Sequence, residues 1–310
     1  MATARLASTA VTPPGLQDRR PLAFAAAGAL VIAFSAILVR LADVAPSTAA
    51  TFRCAYALPV LGALAWLERR RFGPRSRRER WTAVAAGIFF AADLTFWHHS
   101  IGAVGAGLAT VLGNVQVVLV GLLAWVLLGE RPEARSALAV PVVLLGVVLI
   151  SGAVGSGAYG HDPLLGTVYG LLTALTYAFF ILLLRRAGAE ARRPAGPLFD
   201  ATLSAALVAA IAGIAVGDVD FLPGLESQAW LVTLALSSQV LGWLLISVSL
   251  PRLPALLTAI TLTMQPVGSM ILGVVLLSEA PSAVQLAGVV VVIAGIVLAT
   301  ARRREAVPAG

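Results

Sequence analysis

Leu127-Leu128-Gly129-Glu130-Arg131-Pro132 and Leu276-Leu277-Ser278-Glu279-Ala280-Pro281 are two versions of one motif, set 149 residues apart. The same offset carries Trp81 onto Trp230, Ala106 onto Ala255, Leu108 onto Leu257, Gln116 onto Gln265 and Gly146 onto Gly295. Earlier in each half the register shifts slightly: Gly28, Ser35 and Ala36 sit like Gly170, Tyr177 and Ala178, and Phe52 sits like Phe199. Apolar segments that match by chance do not also share tryptophans, glutamines and a Glu-x-Pro pair, so the chain reads as an internal repeat.

Around these motifs lies a series of apolar runs. Of the 310 residues, 59% are hydrophobic and 12% charged, with a mean hydropathy of +0.92, whereas a soluble domain carries about 25% charged residues. A helix needs about 20 apolar residues to cross the hydrocarbon. Dividing the sequence at charges and at Pro/Gly turns gives ten such runs, at 22–41, 47–67, 81–101, 105–128, 136–153, 164–184, 198–217, 229–249, 255–277 and 282–301. The expected fold is an all-α integral membrane protein with ten transmembrane helices in two inverted five-helix repeats. A tail over 1–21 precedes a first repeat over 22–153, and a second repeat over 164–301 precedes a tail over 302–310. Inversion follows because a unit of five spans delivers the chain to the opposite face.

Charge placement gives the orientation. With the N-terminus inside, the interior receives Arg5, Arg19 and Arg20, the run from Arg69 to Arg80, Arg131 and Arg135, the group from Arg185 to Arg193, Arg252, and Arg302 to Arg304. Of the 22 basic residues only Arg40 and Arg53 fall elsewhere, inside predicted spans. Positively charged loops stay cytoplasmic, so both termini are expected inside, in the plasma (inner) membrane, with a first span that directs insertion and no cleaved leader. This accounts for the net charge of +7 and the pI of 10.9, and no nucleic-acid partner is expected.

Composition removes several chemistries. The chain has no lysine, hence no lysine-type Walker A site and no Schiff-base cofactor. One cysteine, Cys54, forms no internal disulfide, and with three histidines it does not make a structural zinc site. No cofactor or metal is expected, and the loops are too short to hold a soluble catalytic domain.

The two Glu-x-Pro motifs, together with Trp97-His98-His99-Ser100-Ile101 at the end of the third run, resemble the drug/metabolite transporter superfamily in its EamA-like ten-helix branch. The likeness runs from about residue 22 to 301. It implies two five-helix halves around a central cavity, and substrates among amino acids, nucleosides, sugar derivatives and drugs, most often exported. The second motif departs from the pattern with Ser278 for glycine and Ala280 for arginine.

Candidate residues follow from the cost of polarity in lipid. Arg53 lies about 9 Å and Asp93 about 12 Å below the outer helix ends, and a mutual ion pair would offset much of their burial cost. That pair is either a packing device or a binding and coupling element. Asp93, Trp97 and Ser100 share a helix face. His98 and His99 are about 100° apart and do not face one cavity together; either can couple transport to protons, or one is bonded to a neighbouring carbonyl and the other lies near the outer headgroups. Gln116 and Gln265, equivalent under the repeat, should meet near the midplane, with Asn114, Gln239, Trp243, Tyr177 and Ser35 completing a polar and aromatic lining. The alternative for these side chains is interhelical hydrogen bonding. Glu130 and Glu279 oppose the helix dipole at C-terminal ends, so each needs an arginine or backbone-amide partner.

These observations point to a secondary transporter of a small organic metabolite working by alternating access, with a small-molecule substrate and membrane lipid as partners. A lipid or polyprenyl-linked carrier on the same fold would show a lateral opening and a greasy groove. An integral-membrane transferase would need clustered carboxylates at one interface, which the sequence lacks.

Overall fold

The computed structural model describes residues 19–116, 118, 119, 123, 134–188, 193–249 and 264–300. The first Glu-x-Pro motif, the tails beyond these bounds, and Ala255 and Leu257 lie outside the described residues. Those described form helices and no strand.

In chain order the helices are α1 (Arg19–Ala33), α2 (Ser35–Ala42), α3 (Pro46–Ala55), α4 (Leu58–Phe72), α5 (Arg77–Val104), α6 (Ala106–Gly113), α7 (Ala134–Ile150), α8 (Pro163–Ala187) and α9 (Ala195–Val216). They continue with α10 (Leu225–Leu234), a π-helical segment (Ala235–Gly242), α11 (Trp243–Ser249), α12 (Met264–Leu277) and α13 (Ala283–Thr300). Among the described residues five stretches are long and apolar enough to cross a membrane: Ala23–Ala42, Pro46–Phe72, Pro163–Leu184, Ala195–Val216 and Leu225–Val248. Leu138–Ile150, Met264–Leu277 and Ala283–Leu298 are shorter apolar helices. At 28 residues α5 is the longest helix described, but Asp93, His98 and His99 hold its hydropathy down.

Three of the long stretches are interrupted. The first breaks at Phe34, where the Ser35 hydroxyl donates to the Ile32 carbonyl at 2.6 Å. The second breaks at Tyr56 and Ala57, the Ala57 N–H turning back to the Cys54 carbonyl at 3.1 Å, and Pro59 opens the next helix. In the stretch that starts at α10 the helix widens to the π form over Ala235–Gly242. Irregular backbone at membrane depth is tolerated where it is covered by protein or lines a cavity, and π turns concentrate at functional positions.

Packing between the halves has a regular pattern. α3 and α4 pack on α9, α6 on α12, and α7 on α13, each pairing one stretch with its repeat equivalent. α5 packs on α8, while α1 packs on the π segment and α11, the same pairing with the halves exchanged. Glycine allows the tightest approaches. A Cβ on Gly87 of α5 would lie 2.2 Å from the Ala201 carbonyl of α9, so the two backbones touch there. A cap fixes the start of α5: Ser76 accepts from the Glu79 N–H at 3.2 Å, and Glu79 accepts from the Ser76 N–H at 2.8 Å.

Candidate functional site

Two of the interruptions, the break after α3 and the π segment, converge on one buried polar cluster. Arg53 occupies the last turn of α3, just before the break, and is 3% exposed. Its Nε donates to Gln239 Oε1 at 3.2 Å, and Gln239 Nε2 donates to Thr202 Oγ1 at 3.1 Å. Gln239 comes from the π segment and Thr202 from α9, so the chain of bonds joins the first half to the second. The Arg53 guanidinium stands over the Trp97 ring, 5.7 Å from its centroid. Asp93, one turn earlier on α5, lies within electrostatic reach of Arg53 and of Tyr177 on α8. Tyr177 meets the Trp243 ring edge-on at 6.1 Å, and Phe90 and Phe180 complete the aromatic wall.

The expected Arg53–Asp93 ion pair is not formed. Among the described residues the carboxylate that pairs with arginine within 4 Å is Asp200, and Asp93 accepts no hydrogen bond. The widened π turn presents Gln239 to the guanidinium, and a neutral amide takes the place assigned to the carboxylate. Asp93 remains 5% exposed, close to a cation and not bonded to it.

Gln116, just beyond α6, and Gln265, on α12, are buried on segments whose helices pack together, yet among the described residues no hydrogen bond joins them. Gln116 Oε1 has no partner there. Trp97 links the two regions, since a Cβ on Gly113 would lie 4.0 Å from its Cδ1. Asn114 donates to the Thr110 carbonyl of its own helix at 2.8 Å. His98 Nδ1 lies 3.2 Å from the Pro46 carbonyl, and His99 Nδ1 lies 2.8 Å from the Thr95 carbonyl with its ring against Tyr169. His99 is thus bonded within its own helix and His98 to the start of α3, while His98 Nε2 has no partner among the described residues.

Each end of the bundle is tied across the halves by a carboxylate that sequence reasoning had not placed there or had left without a named partner. At the arginine-rich end Glu68 accepts from the Ala195 and Gly196 N–H groups at 2.9 and 2.7 Å, capping α9. Arg75 donates to the Gly196 carbonyl at 2.9 Å and to Asp200, and Arg193 donates to the Gly73 carbonyl at 3.1 Å and to that of Phe72. Asp200 is legible in the sequence as an acid just inside the run 198–217, beside arginine-rich loops, but its partner in Arg75 is not. At the other end Glu279 accepts from the Ala106 and Gly107 N–H groups at 2.5 and 3.1 Å, capping α6. This supplies the backbone partner expected for it. Glu130, Arg131 and the side chain of Arg135 lie outside the described residues.

A family model, the EamA-like transporter family, matches residues 19–152 and again 164–301. No curated protein matches the chain. A solved structure described only as "Crystal structure of protein" aligns with a TM-score of 0.63 at 20% identity, over 90% of this chain and 98% of the other, a likeness that shows the fold alone. Apolar helices bury a polar cluster shared by two halves, and one family model covers nearly the whole chain in two copies: the protein is an integral membrane protein that belongs to the EamA-like transporter family.

Proposed function

We propose that this chain is a ten-span secondary transporter that exports a small organic metabolite across the plasma membrane by alternating access, with its two halves inverted and its arginine-rich loops cytoplasmic. The site is the cluster of Arg53, Asp93, Trp97, Tyr177, Gln239 and Trp243, with Gln116 and Gln265 below Trp97. One observation carries the substrate class. A buried guanidinium and a buried carboxylate lie within electrostatic reach of each other but are not paired, and aromatic rings flank both. Leaving opposite charges unpaired in an apolar interior is costly, and a ligand carrying both signs removes that cost. An amino acid with an apolar side chain fits: its carboxylate binds Arg53, its ammonium binds Asp93, and its side chain packs between Trp97 and Trp243.

Alternating access is supported by the matching ties at the two ends and by the three interrupted helices between them, which can hinge without breaking a continuous ladder. The test is counterflow in proteoliposomes, with labelled leucine or phenylalanine set against a nucleoside, a monoamine and a monocarboxylate. Exchange of the amino acid and not of the single-charge compounds is the expected result. Exchange of the nucleoside alone would remove the zwitterion assignment.

A further inference from the structure

Between α5 and α9, at the arginine-rich end, the surface folds into a groove of about 620 Å³. Its walls are apolar: Val84 and Ile88 on one side, Leu203, Leu207 and Val208 on the other. Ile88 and Leu207 are 49% and 56% exposed, so the groove opens sideways and not toward the cluster around Arg53. Its mouth is different in kind. Arg77, Arg80 and Trp81 stand there, with the Arg80 side chain 63% exposed and Trp81 71% exposed. Asp200 lies at the back of the mouth, where Arg75 donates to it and Arg80 Nε stands 3.7 Å from the same carboxylate oxygen; three arginines against one carboxylate leave the rim net positive. The Ser204 hydroxyl in the wall donates to the Val84 carbonyl at 2.8 Å, so the wall presents no unused donor.

Length identifies the occupant. From Arg77 to Ile88 the helix rises about 16 Å, close to half of a hydrocarbon core of about 30 Å. Cations and a tryptophan at the head of an apolar slot one leaflet deep are the complement of a phospholipid: arginine for the phosphate, an indole at headgroup level, aliphatic walls for a chain. We propose that this groove binds one anionic phospholipid of the leaflet at the arginine-rich end, with its phosphate on Arg77 and Arg80 and an acyl chain along Ile88 and Leu207. The lining stops at Ile88 and Val208, part-way along both helices, which suits a resident lipid; a lipid carried across would need a path through both leaflets. The proposal rests on that end meeting a membrane surface and on neither the transported substrate nor the direction of transport.

The test is native mass spectrometry of the purified full chain in detergent, which leaves both ends accessible, with equimolar phosphatidylglycerol and phosphatidylcholine of identical tails. Wild type should retain phosphatidylglycerol with a preference on the order of tenfold, given two surface arginines. The double variant R77Q/R80Q, changed at exposed positions and leaving the Arg75–Asp200 bond in place, should bind the two lipids alike while still unfolding cooperatively, with at most a small drop in melting temperature from loss of the Arg80–Asp200 contact. Leu207→Trp, which fills the slot without touching charge, should lower binding of both. Three results would overturn the proposal: equal binding of the two lipids by wild type, a preference that survives in R77Q/R80Q, or glycerol 3-phosphate raising the melting temperature as much as phosphatidylglycerol, which would make the mouth a pocket for soluble anions. Transfer of labelled phosphatidylglycerol between leaflets of proteoliposomes would also overturn it, by making the lipid cargo.

Discussion

At the scale of residues, Arg53 and its partners decide most. Gln239 carries a charge-assisted hydrogen bond in the interior, so Gln239→Leu should cost about 2 kcal/mol, read as a lower melting temperature. Asp93→Asn should leave the melting temperature unchanged or raise it, because an unbonded buried carboxylate is a burden to the fold. The reverse ranking would restore the direct ion pair. Gln116→Leu and Gln265→Leu should weaken substrate binding and spare stability, since among the described residues Gln116 Oε1 has no partner to lose; unchanged affinity in both would make the glutamines packing contacts. Ser278, which stands where the first motif has glycine, has φ +54°, a conformation that glycine adopts without strain. Ser278→Gly should therefore stabilise the turn by up to about 1 kcal/mol in thermal unfolding. The sequence made these residues visible as polar groups in apolar runs. It did not give their pairing, because the bond of Arg53 depends on a π turn that brings Gln239 inward, and neither periodicity nor composition encodes that widening.

Among the elements, the interruptions and close approaches set the architecture. Gly87 is where α5 meets the backbone of α9, so Gly87→Ala must push the helices apart and should lower thermal stability by about 1–3 kcal/mol. A melting temperature within a degree of wild type would mean the helices separate freely there. The start of α5 depends on the Ser76–Glu79 cap. The Ser76 N–H and hydroxyl hold the Glu79 carboxyl below the usual carboxylate range. The cap's contribution is therefore fully present above the ordinary carboxylate pKa and is lost as pH falls through the lowered value. Ser76→Ala should cost about 1 kcal/mol at neutral pH and progressively less at lower pH. Helix positions were legible because apolar runs of membrane length leave few alternatives. The break at Tyr56 was legible too, since Pro59 has no N–H for the Ala55 carbonyl and its ring clashes with it. The break at Phe34 was not, because no proline follows it within a turn and the residues on both sides are ordinary helix formers.

For the whole molecule, the two family matches and the exchange-symmetric packing describe one unit used twice. Glu68 on the N–H groups of α9 and Glu279 on those of α6 tie the halves at opposite ends. If the halves rock, one tie opens while the other holds. Glu68→Gln should then make a cysteine placed at Gly196 react faster with a soluble maleimide, with no change at Gly105; equal rates at both positions would mean the ties are static. Orientation is tested separately, by labelling from outside a cysteine at Gly157 and sparing one at Gly73. The repeat was legible from matched tryptophans and glutamines, whereas the ties were not, because a carboxylate bonded to backbone amides pairs with no residue type a sequence reveals. The most direct measurement is calorimetry of an apolar amino acid binding to purified wild type, Arg53→Gln and Asp93→Asn. The account predicts that wild type binds, that both variants lose at least tenfold in affinity, and that the des-amino acid binds Asp93→Asn as well as it binds wild type. Affinity unchanged in both variants would contradict it.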